Sequence, residues 1–159
     1  MKIIQHSGFT ELTAIQEKAI PLIREGKDIV GQSETGSGKT LAFGLPLLEK
    51  IIPRKGIQAL ILTPTRELCV QVADTLQEFA AALKLNVISV YGGVSLNPQV
   101  EAFQRAELVV GTPGRILDHL QRRNLNFEQI NFLVLDEADK MFEMGFYETV
   151  EEIIGFIPS

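Results

Sequence analysis

Short apolar runs punctuate this chain at 28–31, 59–63, 87–91, 108–111 and 132–135. They are rich in Val, Ile and Leu and bounded by turn residues, the pattern of strands buried on both faces of a parallel sheet. Longer amphipathic stretches separate them and predict helices over 14–24, 39–52, 66–83, 98–103, 114–122 and 146–156. Regular alternation of strand and helix calls for an α/β fold, a mostly parallel sheet with helices on both faces. Local signals mark helix starts. Thr13 before Ala14-Ile15-Gln16 reads as a capping box, and Thr112 before Pro113 places a cap residue ahead of a proline at the first helical position.

Composition narrows the class without changing that picture. A length of 159 residues suits one domain, and 45% apolar with 22% charged residues is an ordinary soluble balance. No internal repeat or Pro/Gly/Ser-rich linker divides the chain. Both ends look cut, with the last helix pattern stopping just before Ser159. No apolar run reaches the roughly 18 residues of a membrane span, and residues 1–6 lack the apolar core of a secretory signal. Cys69 is the single cysteine, which excludes an internal disulfide and fits a reducing cytoplasm. Two histidines far apart, His6 and His119, argue against a zinc site. A net charge of −5 counts against broad electrostatic binding to nucleic acid, so any such site must be local.

The chemistry concentrates in two places. Ser33-Glu34-Thr35-Gly36-Ser37-Gly38-Lys39-Thr40 follows a predicted strand and opens a helix, the context a phosphate-binding loop requires. Small residues let the backbone N–H groups surround phosphate oxygens, and the helix adds the positive end of its dipole. Lys39 supplies a charge for the β and γ phosphates, and the Thr40 hydroxyl is placed for Mg²⁺. Ser33 stands where such loops usually open with glycine. The second place is Asp136-Glu137-Ala138-Asp139, directly after the run at 132–135. Carboxylates at the carboxyl end of a parallel strand lie where α/β sheets bind ligands. Asp136 suits Mg²⁺, and Glu137 is then placed to orient or deprotonate an attacking water.

Further stretches occur in a telling order: Gly8-Phe9 with Ile15-Gln16, Pro64-Thr65-Arg66-Glu67-Leu68, Gly92-Gly93, Thr112-Pro113-Gly114-Arg115, and Lys140-Met141-Phe142-Glu143-Met144-Gly145-Phe146 after the acidic pair. With them the chain resembles the first RecA-like domain of DEAD-box ATP-dependent RNA helicases, with a RecA-like P-loop NTPase fold, over Gly8 to Phe146. The resemblance implies that Gln16 bonds the adenine edge and selects ATP, while Phe9 shapes its pocket. It implies that Pro64, Thr65, Arg66, Gly93, Thr112, Gly114 and Arg115 line a groove for an RNA backbone, read without regard to sequence. It also assigns Asp139 to coupling between domains. Each residue has a plainer alternative: Gln16 in the capping box, Phe9 in a core, the threonines as helix caps, the arginines in surface salt bridges.

Departures from the family pattern are Leu12 and Ala14 where prolines are common, Glu34 for glutamine and Cys69 for alanine. The Ser-Ala-Thr motif and the second RecA-like domain with its arginine finger do not occur in the chain. Residues 1–159 therefore read as the ATP-binding domain of a longer RNA helicase, expected to bind nucleotide weakly and hydrolyse little alone. An ATP-gated RNA clamp and a P-loop ATPase acting on protein or DNA are the alternatives.

Overall fold

A computed structural model describes residues 2–5 and 37–158. Its elements run β1 (Lys2–Gln5), α1 (Ser37–Glu49), β2 (Ala59–Leu62), α2 (Arg66–Ala80), β3 (Val87–Val90), α3 (Asn97–Phe103), β4 (Leu108–Gly111), α4 (Pro113–Gln121), β5 (Phe132–Leu135), α5 (Ala138–Glu143) and α6 (Tyr147–Gly155). A 3₁₀ turn over Ala81–Leu83 extends α2. The five strands form one sheet in the order β1-β5-β2-β4-β3, and every pairing is parallel.

β4 and β5 occupy the segments their apolar runs predict, and the helices after 37 fall where amphipathic patterns place them, within a few residues at the ends. The expected helix over 14–24, the capping box at Thr13 and the expected strand over 28–31 lie outside the described residues. Two elements depart from expectation. β1 pairs with β5 from Lys2↔Phe132 to Gln5↔Leu135, although the opening residues carry no strand signal beyond Ile3-Ile4. α5 follows the acidic pair at once, six residues long, a helix too short for an apolar period to show.

Side-chain alternation along each strand builds two separate cores. Leu60, Leu62, Val109, Leu133 and Leu135 face one way and pack against Ile116 and Leu120 of α4, Met141 of α5, and Val150 and Ile153 of α6. Ala59, Ile61, Leu108, Val110, Phe132 and Val134 face the other way, against Leu47 and Leu48 of α1, Ile51 just beyond it, and Cys69, Val72, Ala73 and Leu76 of α2. Helices therefore cover both faces, and all four residues of β2, β4 and β5 are buried. β3 is an edge strand among the described residues, with only its two end residues buried. No helix among the described residues is long and apolar enough to cross a membrane.

The amino end of the sheet is tied by two buried polar side chains. Gln58 bonds the backbone of Ile52 and Gly56, closing the turn out of α1. The Glu107 carboxylate accepts the N–H groups of Arg54 and Asn86. With Lys50, just past the end of α1, over the ring of Phe132, the carboxyl end of α1 lies at the amino end of the sheet. The first turn of α1 accordingly stands at the opposite rim, where the strands end.

Candidate functional site

The register places the motifs that follow β2, β3, β4 and β5 on that carboxyl rim. Leu135 of β5, Leu62 of β2, Gly111 of β4 and Val90 of β3 lie side by side. The next residue of each strand continues the ladder. Asp136 donates its N–H to Leu62 (2.9 Å), Thr63 to Gly111 (2.9 Å) and Thr112 to Val90 (3.0 Å). From these level positions the chain departs into Asp136-Glu137, Thr63-Pro64-Thr65-Arg66, Thr112-Pro113-Gly114-Arg115 and Tyr91-Gly92-Gly93.

At the nucleotide end, α1 starts at Ser37, so Lys39 and Thr40 fall in its first turn. Thr40 is buried. The remaining loop residues Ser33, Glu34, Thr35 and Gly36, with Phe9 and Gln16, lie outside the described residues. Asp136 is also buried, 7% exposed at the tip of β5. Glu137 adopts a left-handed backbone (φ 56°, ψ 46°) and is half-buried. Such a conformation costs a non-glycine residue about 1–3 kcal/mol and concentrates at functional sites. Here it swings the chain from β5 straight into α5, whose Met141 N–H the Glu137 carbonyl accepts (3.1 Å). Asp139 lies half-buried in the first turn of α5.

The Thr40 hydroxyl and the Asp136 carboxylate suit a hard cation. Among the described residues no group of three or more His, Cys, Asp or Glu could hold a metal ion alone. An ion here would complete its shell with phosphate oxygens and water, the habit of Mg²⁺.

The other turns are built differently from one another. Thr65 caps α2, its hydroxyl accepting the Leu68 N–H (3.2 Å), and Thr63, fully buried, donates to the Thr65 carbonyl (3.4 Å). Pro64 is buried, so it shapes the turn rather than offering a contact. Arg66 is exposed and stacks over the Tyr91 ring at 4.6 Å. Thr112 stands at the N-cap position of α4 with extended backbone and Pro113 behind it, yet its hydroxyl makes no capping bond. That corrects the cap expected from sequence: the position is as expected, while the α4 N–H groups lack that side-chain partner. Gly114 is exposed. Gly93 takes a positive φ of 83°, which glycine adopts without strain.

Among the described residues Arg115 has no salt-bridge partner of the kind expected as its plainer role. Its Nη1 donates to the Val94 carbonyl (3.0 Å) and to Gln99 Oε1 (3.2 Å). Gln99, buried on α3, also receives His119 Nε2 at 2.7 Å and donates Nε2 to the Tyr91 carbonyl at 3.0 Å. His119 is fully buried, edge-on to Phe103, with Asn124 Nδ2 at 3.2 Å from its Nδ1. Burial, and then the nearby Arg115 charge, push its pKa below 6.5. Thr63, Gln99 and His119 escaped the sequence reading because no local pattern distinguishes them; their importance lies in partners from other elements. Cys69 is a buried residue of α2 whose thiol donates to Val110 (3.1 Å). Desolvation pushes its pKa up to about 11, so it is inert at neutral pH.

A parallel sheet covered on both faces, with a helix N-terminus and an acidic strand end on one rim, defines a RecA-like P-loop domain. Comparison with known proteins agrees. The model of the DEAD/DEAH box helicase family matches residues 13–159. The DEAD-box ATP-dependent RNA helicase CshA of Geobacillus kaustophilus is 45% identical over 161 residues, covering 100% of this chain and 34% of its own length. Among solved structures, a DEAD box protein from Methanococcus jannaschii superposes with a TM-score of 0.77 at 38% identity, covering 98% of this chain and 36% of that one. The yeast DEAD-box splicing factor Prp28 gives 0.77 at 37% identity, over 90% of this chain and 36% of its own. The chain belongs to the DEAD/DEAH box helicase family. It spans about a third of the length of the curated relative it matches.

Proposed function

We propose that residues 1–159 are the ATP-binding RecA-like domain of an ATP-dependent RNA helicase that unwinds short duplexes or remodels RNA–protein complexes. The observation that carries this reading is the single rim shared by the first turn of α1, Asp136-Glu137 and the turns after β2, β3 and β4. One edge thus offers a triphosphate site beside a groove for a nucleic-acid backbone.

In this reading Gln16 and Phe9 take the adenine, and residues 33–40 enclose the phosphates. Lys39 neutralises the β and γ phosphates. Thr40 and Asp136 would hold Mg²⁺, which when bound would offset charge on the phosphate oxygens. Glu137 accepts the proton of the water that attacks the γ-phosphorus, and the bond to the β–γ bridging oxygen breaks to give ADP and phosphate. Thr65, Arg66, Gly93, Thr112, Gly114 and Arg115 receive RNA phosphates, with Pro64 shaping the turn beneath. Phosphate contacts of this kind ignore base identity. Asp139 couples the site to a second RecA-like domain, whose arginines complete the transition-state charge.

The test compares ATP turnover by the full-length protein without nucleic acid, with single-stranded RNA and with single-stranded DNA, beside a duplex-unwinding assay. RNA-selective stimulation with strand separation is expected. Equal stimulation by DNA would overturn the RNA assignment, and RNA-stimulated turnover without strand separation would make the protein an ATP-gated clamp.

A further inference from the structure

Gln99 belongs to none of the motifs, yet it joins three elements at the rim. Its side chain is buried beneath the turn that follows β3. Through Nε2 it holds the Tyr91 carbonyl at the start of that turn, and through Oε1 it accepts Arg115 of α4, which itself holds the Val94 carbonyl at the turn's far end. The exposed glycines Gly92 and Gly93 lie between these two anchored carbonyls. A Cβ built on Gly92 would come 3.9 Å from an Arg115 guanidinium nitrogen, so turn and guanidinium are in direct apposition.

The orientation of the amide is not free. Arg115 can only donate and the Tyr91 carbonyl can only accept, so Oε1 faces Arg115 and Nε2 faces Tyr91; a neutral His119 then carries its proton on Nε2, toward Gln99 Oε1, with Nδ1 facing Asn124 Nδ2. Rotating the amide by half a turn would face its NH₂ against two donors, Arg115 and His119, and its oxygen against the Tyr91 carbonyl. Arg115 and the Tyr91 carbonyl thereby fix the one orientation in which Gln99 binds both, and His119 adds a third partner to it. An open cavity of about 270 Å³, lined by Tyr91, Val94, Pro98 and Gln99 among others, lies beside the turn, so close packing does not hold it. Its place depends on these hydrogen bonds and on the stacking of Tyr91 with Arg66.

We infer that Gln99 is a positioning residue for the nucleic-acid groove: it sets the distance between the glycine turn after β3 and the N-terminus of α4. Two phosphate-binding places serve a single strand only at the spacing of that strand's phosphates. Loosening one of them lowers affinity for the backbone without touching the nucleotide end of the rim. This rests on the proposed RNA groove.

The test uses the full-length protein and an unstructured RNA oligonucleotide. Gln99→Met keeps the side-chain length and removes the hydrogen bonds. Gln99→Glu keeps an acceptor for Arg115 and His119 and removes the donor to Tyr91. Arg115→Ala reports on the groove itself. The readouts are the RNA concentration for half-maximal ATP turnover and the KM for ATP. Gln99→Met is expected to raise the RNA half-saturation roughly tenfold. Gln99→Glu is expected to raise it less, and the KM for ATP stays within about twofold in both. Should Arg115→Ala raise the RNA half-saturation while both Gln99 variants leave it unchanged, the positioning role is wrong and the groove stands. Should Arg115→Ala and both Gln99 variants leave it unchanged, the groove reading fails and takes this inference with it. A Gln99→Met variant that raises the KM for ATP in equal proportion would show general loosening and would also overturn the role.

Discussion

Replacing Gly111 by alanine tests how closely the rim is packed. Gly111 ends β4, pairs with Leu62 on one side and Val90 on the other, and leads directly into Thr112 and α4. A Cβ there would lie 2.5 Å from both Cγ1 and Cδ1 of Ile116 and 3.2 Å from the Val90 carbonyl. That is about 1 Å inside normal carbon–carbon contact. Gly111 has no left-handed φ, so an alanine meets no backbone strain and even gains about 0.4–1 kcal/mol through the unfolded chain. The clash must therefore decide the sign. Ile116 is fully buried, and the strand is held by ladders on both sides, so neither partner moves easily. Overpacking of this kind costs about 1–3 kcal/mol, which leaves a net loss of about 1–2 kcal/mol. In a domain of this size that lowers Tm by about 2–8 °C. Thermal unfolding followed by circular dichroism measures it. Ile116→Val, which removes one of the two clashing carbons, should cost less in the Gly111→Ala background than alone, a coupling of about 0.5–1 kcal/mol. Gly114→Ala is the matched control, since nothing lies within 4 Å of a Cβ there. A Gly111→Ala protein as stable as wild type, or additive costs in the double variant, would refute the packing argument.

Three further outcomes follow from the same geometry. Thr65→Ala removes the hydroxyl that accepts the Leu68 N–H and should destabilise the chain by about 1 kcal/mol in urea unfolding, whereas Thr112→Ala, which loses no capping bond, should cost less. His119 titrates below 6.5 in the folded chain. The unfolded chain therefore takes up this proton first as pH falls, and stability present above pH 6.5 is lost on the way down to the folded pKa. Urea midpoints at pH 7.5 and 5.5 should accordingly fall further for wild type than for His119→Gln; equal falls would remove His119 from the account. The 159-residue chain by itself should show little RNA-stimulated ATP turnover, because the residues that complete the transition state belong to the second domain proposed above; substantial turnover by this chain would contradict that.

Much of this architecture could be read from the chain because parallel α/β folds concentrate information at strand ends. β2, β4 and β5 are buried on both faces, so each appears as an unbroken apolar run. The residue after each run then lands on the carboxyl rim by topology, which is why Asp136 can be placed there from the pattern alone, whereas Thr112 and the turn containing Thr65 are singled out through the family resemblance. β1 could not be found this way. It offers two apolar residues between Lys2 and Gln5, and its existence depends on β5, more than a hundred positions later. α5 was hidden by its length and by the charged residues at its start. At the site, the missing information was partnership. Arg115 stood out as a cation in a motif, but its bonds to Val94 and Gln99 come from residues 16 to 21 positions away on other elements. Thr112 carried the right residue type for a cap and does not make the bond, because cap preference is a tendency of position and not a statement about one hydroxyl's partner.

The central claim is that Glu137, turned off the end of β5 by its left-handed backbone, handles the proton of the attacking water while neighbouring groups hold the nucleotide. Glu137→Gln keeps the shape and removes the base. The decisive measurement is single-turnover ATP hydrolysis by this variant of the full-length protein at saturating RNA, with nucleotide binding measured alongside. The account predicts ATP affinity within about threefold of wild type and hydrolysis slowed by a factor on the order of 10² or more. Hydrolysis at the wild-type rate would contradict it.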